Sequence, residues 1–159
     1  MGNLSLPTNT KPEEISGYTP ITEGRYHCLI VDVQSGMTKT GKPYDRVKLQ
    51  ILAGEQPGQE QKTLNQTLFY KEEHGQFVES DAHARWAWAA GLLQPGKNID
   101  FSPEMLSGTQ VIASVVKQKN SDYCEVDERG YAVWPVGHAQ VAGVPLGTLA
   151  APVDGDDFL

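Results

Sequence analysis

The chain has 159 residues, 39% of them apolar and 21% charged, a balance that fits one soluble globular domain and excludes disorder throughout. No stretch approaches the ~18 apolar residues a membrane helix needs, and residues 1–12 lack the apolar segment of a signal peptide. Net charge is −7, which weighs against a uniformly basic nucleic-acid binder, while Cys28 and Cys124 match no metal-ligand spacing and read as a reduced, cytoplasmic pair.

Residues 1–20 are polar, carry Pro7, Pro12 and Pro20, and are expected to form a loosely held arm. Residues 25–33, rich in β-branched and aromatic side chains, predict a first strand. Residues 34–43 read as turn chemistry, through Ser35-Gly36 and Thr40-Gly41-Lys42-Pro43. Residues 44–52 alternate with period two, and after two turn clusters residues 62–70 predict a third strand. A helix follows, with Ser80 as N-cap, Ala82, Trp86, Ala89, Ala90 and Leu93 on one face, and Gly91 or Pro95-Gly96 as its end. Residues 109–117 predict a fourth strand, and residues 123–126 and 130–134 a last hairpin turned at Asp127-Glu128-Arg129-Gly130. Three strands, a helix and two or three strands make a mainly β chain. The order is that of an OB-fold-like five-stranded barrel with one helix between strands 3 and 4, over residues 21–136. Residues 137–159 are expected to be a disordered linker and a flexible acidic C-terminal tail.

If Val47, Leu49 and Ile51 face the barrel interior, then Tyr44, Arg46 and Lys48 face outward at about 6.8 Å intervals. An aromatic followed by two cations suits a single strand of nucleic acid, offering a stacking plane and then phosphate contacts. Lys39 and Lys42 extend the stripe: four cations over residues 35–50 stand against Asp45 alone. The same face also reads as a solvated strand surface. On the third strand, inward Leu64 and Leu68 turn Asn65, Thr67 and Phe69 outward, whereas a bulge would bury Phe69 and expose Tyr70. The first strand is partly apolar on both faces and is expected to be covered on both sides. Trp86 reads as a core plug, Trp88 as a residue for a subunit interface, and Trp134 as a further stacking candidate.

Enzyme signals are thin. The four histidines form no H-x-x-x-H pair, and there is no phosphate-binding glycine loop or nucleophile elbow, so neither catalysis nor a cofactor is expected. The C-terminus is more specific: Asp154, Asp156 and Asp157 precede Phe158 and Leu159. That pattern suits a peptide hook whose apolar pair enters a pocket while its carboxylates meet a basic rim. It also reads as an ordinary terminus.

The run Gly24-Arg25-Tyr26, the segment Thr38-Lys39-Thr40-Gly41-Lys42-Pro43 before the alternating strand, and the Gly54…Gly58 spacing resemble a family of phage single-stranded DNA-binding proteins, over residues 17–117. The acidic tail is similar to those of bacterial single-stranded DNA-binding proteins and podovirus replication proteins, which recruit polymerases, helicases and nucleases. The bacterial tails end in proline and phenylalanine, where this chain ends in Phe158-Leu159. The resemblance implies an OB-fold that binds single-stranded DNA without strong sequence preference, through Lys39, Lys42, Tyr44, Arg46 and Lys48. It also implies a role in phage replication or recombination in the infected host's cytoplasm, with partners recruited by the tail. A virion structural or assembly protein and a strand-annealing recombination mediator are the competing readings, and self-association stays open.

Overall fold

A computed structural model of the chain describes residues 20–119, 121 and 123–148, and one long strand organises it. That strand, β1 (Gly24–Met37), pairs antiparallel with β2 (Pro43–Gly54) along its length and with β6 (Gln110–Lys117) along its first half. β3 (Thr63–Phe69) takes the other edge of β2 and β7 (Cys124–Val126) the other edge of β6, giving the order β3-β2-β1-β6-β7. Register shifts in β1, at His27/Cys28 and Ile30/Asp32, increase its local twist. Gln66 bridges the remaining seam: its Oε1 accepts the Val126 N–H at 3.2 Å and its Nε2 donates to the Thr67 carbonyl at 3.1 Å. The result is a nearly closed five-strand barrel with one helix.

The alternation along the strands builds the core. Val47, Leu49 and Ile51 are fully buried, together with Tyr26, Cys28 and Ile30 from β1, Leu68 from β3, and Val111, Ala113 and Val115 from β6. Each buried aliphatic side chain contributes about 1.5–3 kcal/mol relative to exposure. Helix α1 (Asp81–Ala89) follows β3 and plugs this core with Trp86, which is fully buried and donates its indole N–H to the Gly130 carbonyl at 2.7 Å. The helix starts at Ser80 as expected and stops at Ala90. There Gly91 bonds back to Trp88 at 3.0 Å and Leu92 to Ala87 at 2.9 Å, satisfying the last carbonyls.

Elsewhere the architecture departs from the sequence expectation. β1 runs to Met37 rather than Val33, because Gln34, Ser35, Gly36 and Met37 pair with Arg46, Asp45, Tyr44 and Pro43. Between β3 and α1 lies a hairpin that the sequence reading did not contain, β4 (Lys71–Glu73) and β5 (Gln76–Val78), turned at His74 and Gly75 with φ of 52° and 78°. Residues 123–134 do not form a hairpin. β7 and β8 (Val133–Trp134) lie one after the other along the same edge of β6. Ser114 joins the two pieces, accepting the Asp127 N–H at 2.8 Å and donating to the Ala132 carbonyl at 2.9 Å, so the intervening loop interrupts one strand.

Residues 137–148, expected as the start of a disordered linker, pack onto the barrel as a strap. Val141 and Val144 are buried against Ile112, on the outer face of β6. Gly147 donates its N–H to His27 Nδ1 at 2.9 Å, and His27 Nε2 lies 2.7 Å from Gln110 Oε1. The strap covers the second face of β1 only at His27, which is buried; Leu29 is half-buried and Val31 exposed, so the strand is covered on both sides only near its start. Among the described residues no helix is long and apolar enough to cross a membrane. The expected arm up to residue 19 and the acidic tail, with Asp154, Asp156, Asp157, Phe158 and Leu159, lie outside the described residues.

Candidate nucleic-acid interface

Strand registers gather the outward side chains of β1, β2 and β3 into rows. Gly36, Tyr44 and Phe69 form one row, Gln34, Arg46 and Thr67 the next, and Asp32, Lys48 and Asn65 a third. The residues between them point inward: Asp45, Val47 and Leu49 are fully buried, as is Leu68 on β3, with Leu64 and Gln66 nearly so. The outward set expected from parity alone therefore shares one face of the barrel, and the alternative in which Phe69 turns inward does not occur.

The aromatic row has a defined geometry. Phe69 is 52% exposed, and its ring meets that of Tyr44 edge-on, with centroids 6.2 Å apart and planes at 68°. Tyr44 is half-buried because its ring lies over Gly36, where a Cβ would come within 2.7 Å of the hydroxyl. The Arg46 guanidinium stands 5.5 Å from the Tyr44 centroid, a cation–π contact that an incoming base can exchange for stacking. Arg46, Lys48 and Asn65 are exposed and Thr67 is half-buried.

Lys39 and Lys42 are exposed on the tight loop that joins β1 to β2. The Thr38 N–H donates to the Lys42 carbonyl at 2.9 Å, and the Lys42 N–H donates to Thr38 Oγ1 at 3.0 Å. Gly41 turns this loop with φ of +83°, a conformation most side chains resist. The loop follows the Gly36–Tyr44–Phe69 row directly, so its lysines extend the cationic stripe beyond the aromatics.

Two carboxylates change the electrostatic reading. Asp45, the anion counted against the stripe, is fully buried under the sheet. Asp32 instead lies exposed on β1 opposite Lys48, within 3.2 Å of Gln34 Nε2. A carboxylate at an inward position of an alternating strand must find a partner inside, a signal that a count of surface charges passes over. That partner is His83 of α1, with Nε2 2.8 Å from Asp45 Oδ2, and neither residue was singled out beforehand as functional.

The other aromatic candidates are occupied within the chain. The Arg85 guanidinium sits 4.5 Å from the Trp88 ring and 5.6 Å from the Trp134 ring, while its Nε donates to the Val133 carbonyl at 2.9 Å. Burial lowers the pKa of Arg85, partly opposed by Glu128. Trp134 also packs on the strap cluster and donates its indole N–H to Gln140 Oε1 at 2.9 Å, and Trp88 meets His138 edge-on at 5.3 Å. The sequence matches no protein-family model and no curated protein.

Proposed function

We propose that this chain is a non-enzymatic, phage-type single-stranded DNA-binding protein built on an OB-fold, acting in replication or recombination. The OB reading rests on the strand order β3-β2-β1-β6-β7, the near contact of β3 with β7, and a helix between the third and fourth barrel strands. Fold alone does not carry function, since such barrels also bind sugars and proteins. The observation that carries it is the outer face of β2 and β3: Tyr44 with Phe69, then Arg46 with Thr67, then Lys48 with Asn65. Two stacking rings and a run of cations can follow one strand's bases and phosphates without reading sequence, each stacked base contributing about 1–3 kcal/mol. On this reading the hook of Asp154, Asp156, Asp157, Phe158 and Leu159 recruits a replication or recombination protein.

The test is fluorescence anisotropy with an unstructured mixed-sequence oligonucleotide against a duplex of the same length. The single strand binds more tightly, and log K falls with log salt at a slope of about −2 to −3 if three or four of Lys39, Lys42, Arg46 and Lys48 meet a phosphate. Absence of single-strand binding refutes the proposal and leaves virion assembly as the reading to pursue. Accelerated pairing of complementary strands would place the protein among annealing mediators.

A further inference from the structure

Beneath the outer face lies a polar cluster that the single-strand reading does not use. Asp45 accepts a hydrogen bond from Ser35 Oγ on β1 at 2.6 Å, and its Oδ2 lies 2.8 Å from His83 Nε2 on α1. Tyr70 stands just past β3; burial first, and the nearby Asp45 carboxylate second, push its pKa well above the usual phenol value. His83 is 1% exposed, and its Nδ1 accepts the Ser80 N–H at 3.1 Å. Since Nδ1 is an acceptor, Nε2 carries the proton and donates to Asp45. The ring also packs on Tyr70, at 4.4 Å, and on Phe101, at 6.4 Å.

One carboxylate thus ties together β1, β2, the end of β3 and the first turn of α1. A buried charge of this kind is poor evidence for stability, because well-packed apolar replacements are often as stable or more so. Its position points to another role. Each residue of the outer aromatic row is the chain neighbour of a member of the cluster: Gly36 of Ser35, Tyr44 of Asp45, and Phe69 of Tyr70. A backbone shift at any cluster member therefore moves a residue of the row.

We infer that Asp45 and His83 are positioning residues for the Tyr44–Phe69 row, holding its backbone in one register and linking it to helix α1. The inference rests on the single-strand reading for its affinity readout, but not for its structural one. The full-length variant Asp45→Leu/His83→Phe replaces the pair with apolar groups, which leaves no buried charge unpaired, while the Ser35 hydroxyl and the Ser80 N–H lose their acceptors. Expected are a folded protein with a modestly lowered melting temperature, loss of the nuclear Overhauser contact between the Tyr44 and Phe69 rings, and oligonucleotide affinity about tenfold weaker. Asp45→Asn, whose amide oxygen can accept from His83 Nε2 while its NH2 donates to the Ser35 hydroxyl, keeps the ring contact and most of the affinity. If the double variant does not fold, Tyr70→Phe removes a single hydroxyl beside Phe69 and carries the same two readouts. An intact ring contact and unchanged affinity in folded variants would overturn the inference. Wild-type protein that binds no oligonucleotide would sink the single-strand reading instead, with the ring contact still deciding the positioning role.

Discussion

Gly36 and Tyr44 are fitted to each other across β1 and β2: a Cβ at position 36 would stand 2.7 Å from the Tyr44 hydroxyl and 2.8 Å from Cζ. The absent side chain lets the ring lie against the sheet beside Phe69. Tyr44→Ala should weaken single-strand binding by about 1–3 kcal/mol without unfolding the barrel. Gly36→Val should lose a comparable amount by lifting the ring, and the double variant should lose no more than Tyr44→Ala alone. Anisotropy titrations of the three proteins decide this, and additive losses would mean that Gly36 acts independently of Tyr44.

Charge on the same face is open to a cleaner test. Lys48→Ala should shallow the salt slope by about 0.7, the value of one single-strand phosphate contact. Asp32→Asn removes the carboxylate opposite Lys48 and should strengthen binding by about two- to fivefold at low salt, the gain shrinking as screening rises. Titrations at several salt concentrations measure both effects, and an Asp32→Asn protein that binds more weakly would contradict the assigned face.

The inward residues of β2 should behave oppositely. Leu49→Asp places an unpaired carboxylate among fully buried side chains and should cost more than about 4 kcal/mol of stability. Urea denaturation with a wild-type midpoint would show the parity of β2 to be inverted.

The strap and the tail should separate by truncation. Ending the chain after residue 148 should leave melting unchanged, whereas ending it after residue 136 removes Val141 and Val144 from Ile112 and should cost about 3 kcal/mol or more. Gly147 lies against the Leu52 carbonyl, and Lys48 is about 14 Å from Leu52 along β2. Seven residues along the chain, from Gly147 to Asp154, can span at most about 25 Å, which exceeds that distance. Removing residues 149–159 should therefore raise single-strand affinity several-fold at low salt and abolish docking of a replication partner, while Phe158→Ala abolishes docking alone. Calorimetry, anisotropy and polymerase pull-down read the three effects separately.

Alkaline pH should weaken the fold through its core. Burial pushes the Cys28 thiol from 9.0 up to about 12 and the Tyr26 hydroxyl from 10.0 up to about 12. The folded protein therefore keeps protons that the unfolded chain releases. Their contribution is fully present below about pH 9 and is lost as pH rises through about 12. Urea midpoints across that range should fall, and Cys28→Ala should flatten part of the decline; a flat wild-type profile would show that these groups are not buried in solution.

Much of the candidate face was legible in the sequence because side-chain parity is a local property. Once Val47, Leu49 and Ile51 are assigned inward, the pleat sends Tyr44, Arg46 and Lys48 outward, and Leu64 and Leu68 do the same for Asn65 and Thr67; Phe69 stayed open to a bulge until its pairing with Tyr44 placed it outside. The helix start at Ser80 was legible for the same reason, since a cap depends on neighbours in the chain; its end stayed open between Gly91 and Pro95-Gly96, and the helix stops at Ala90, short of Leu93. Tertiary structure decided what depends on partners distant in sequence. Gln34 to Met37 are polar and glycine-containing, yet they are strand because β2 lies beside them. Residues 123–126 and 130–134 resemble a hairpin in sequence, yet β7 and β8 find their hydrogen bonds on β6. The small residues after Gly137 look disordered in composition, yet Ile112 and His27 offer them an apolar surface and an acceptor. Asp45 counts as a surface charge until Ser35, Tyr70 and His83, drawn from three other parts of the chain, close around it and make burial affordable.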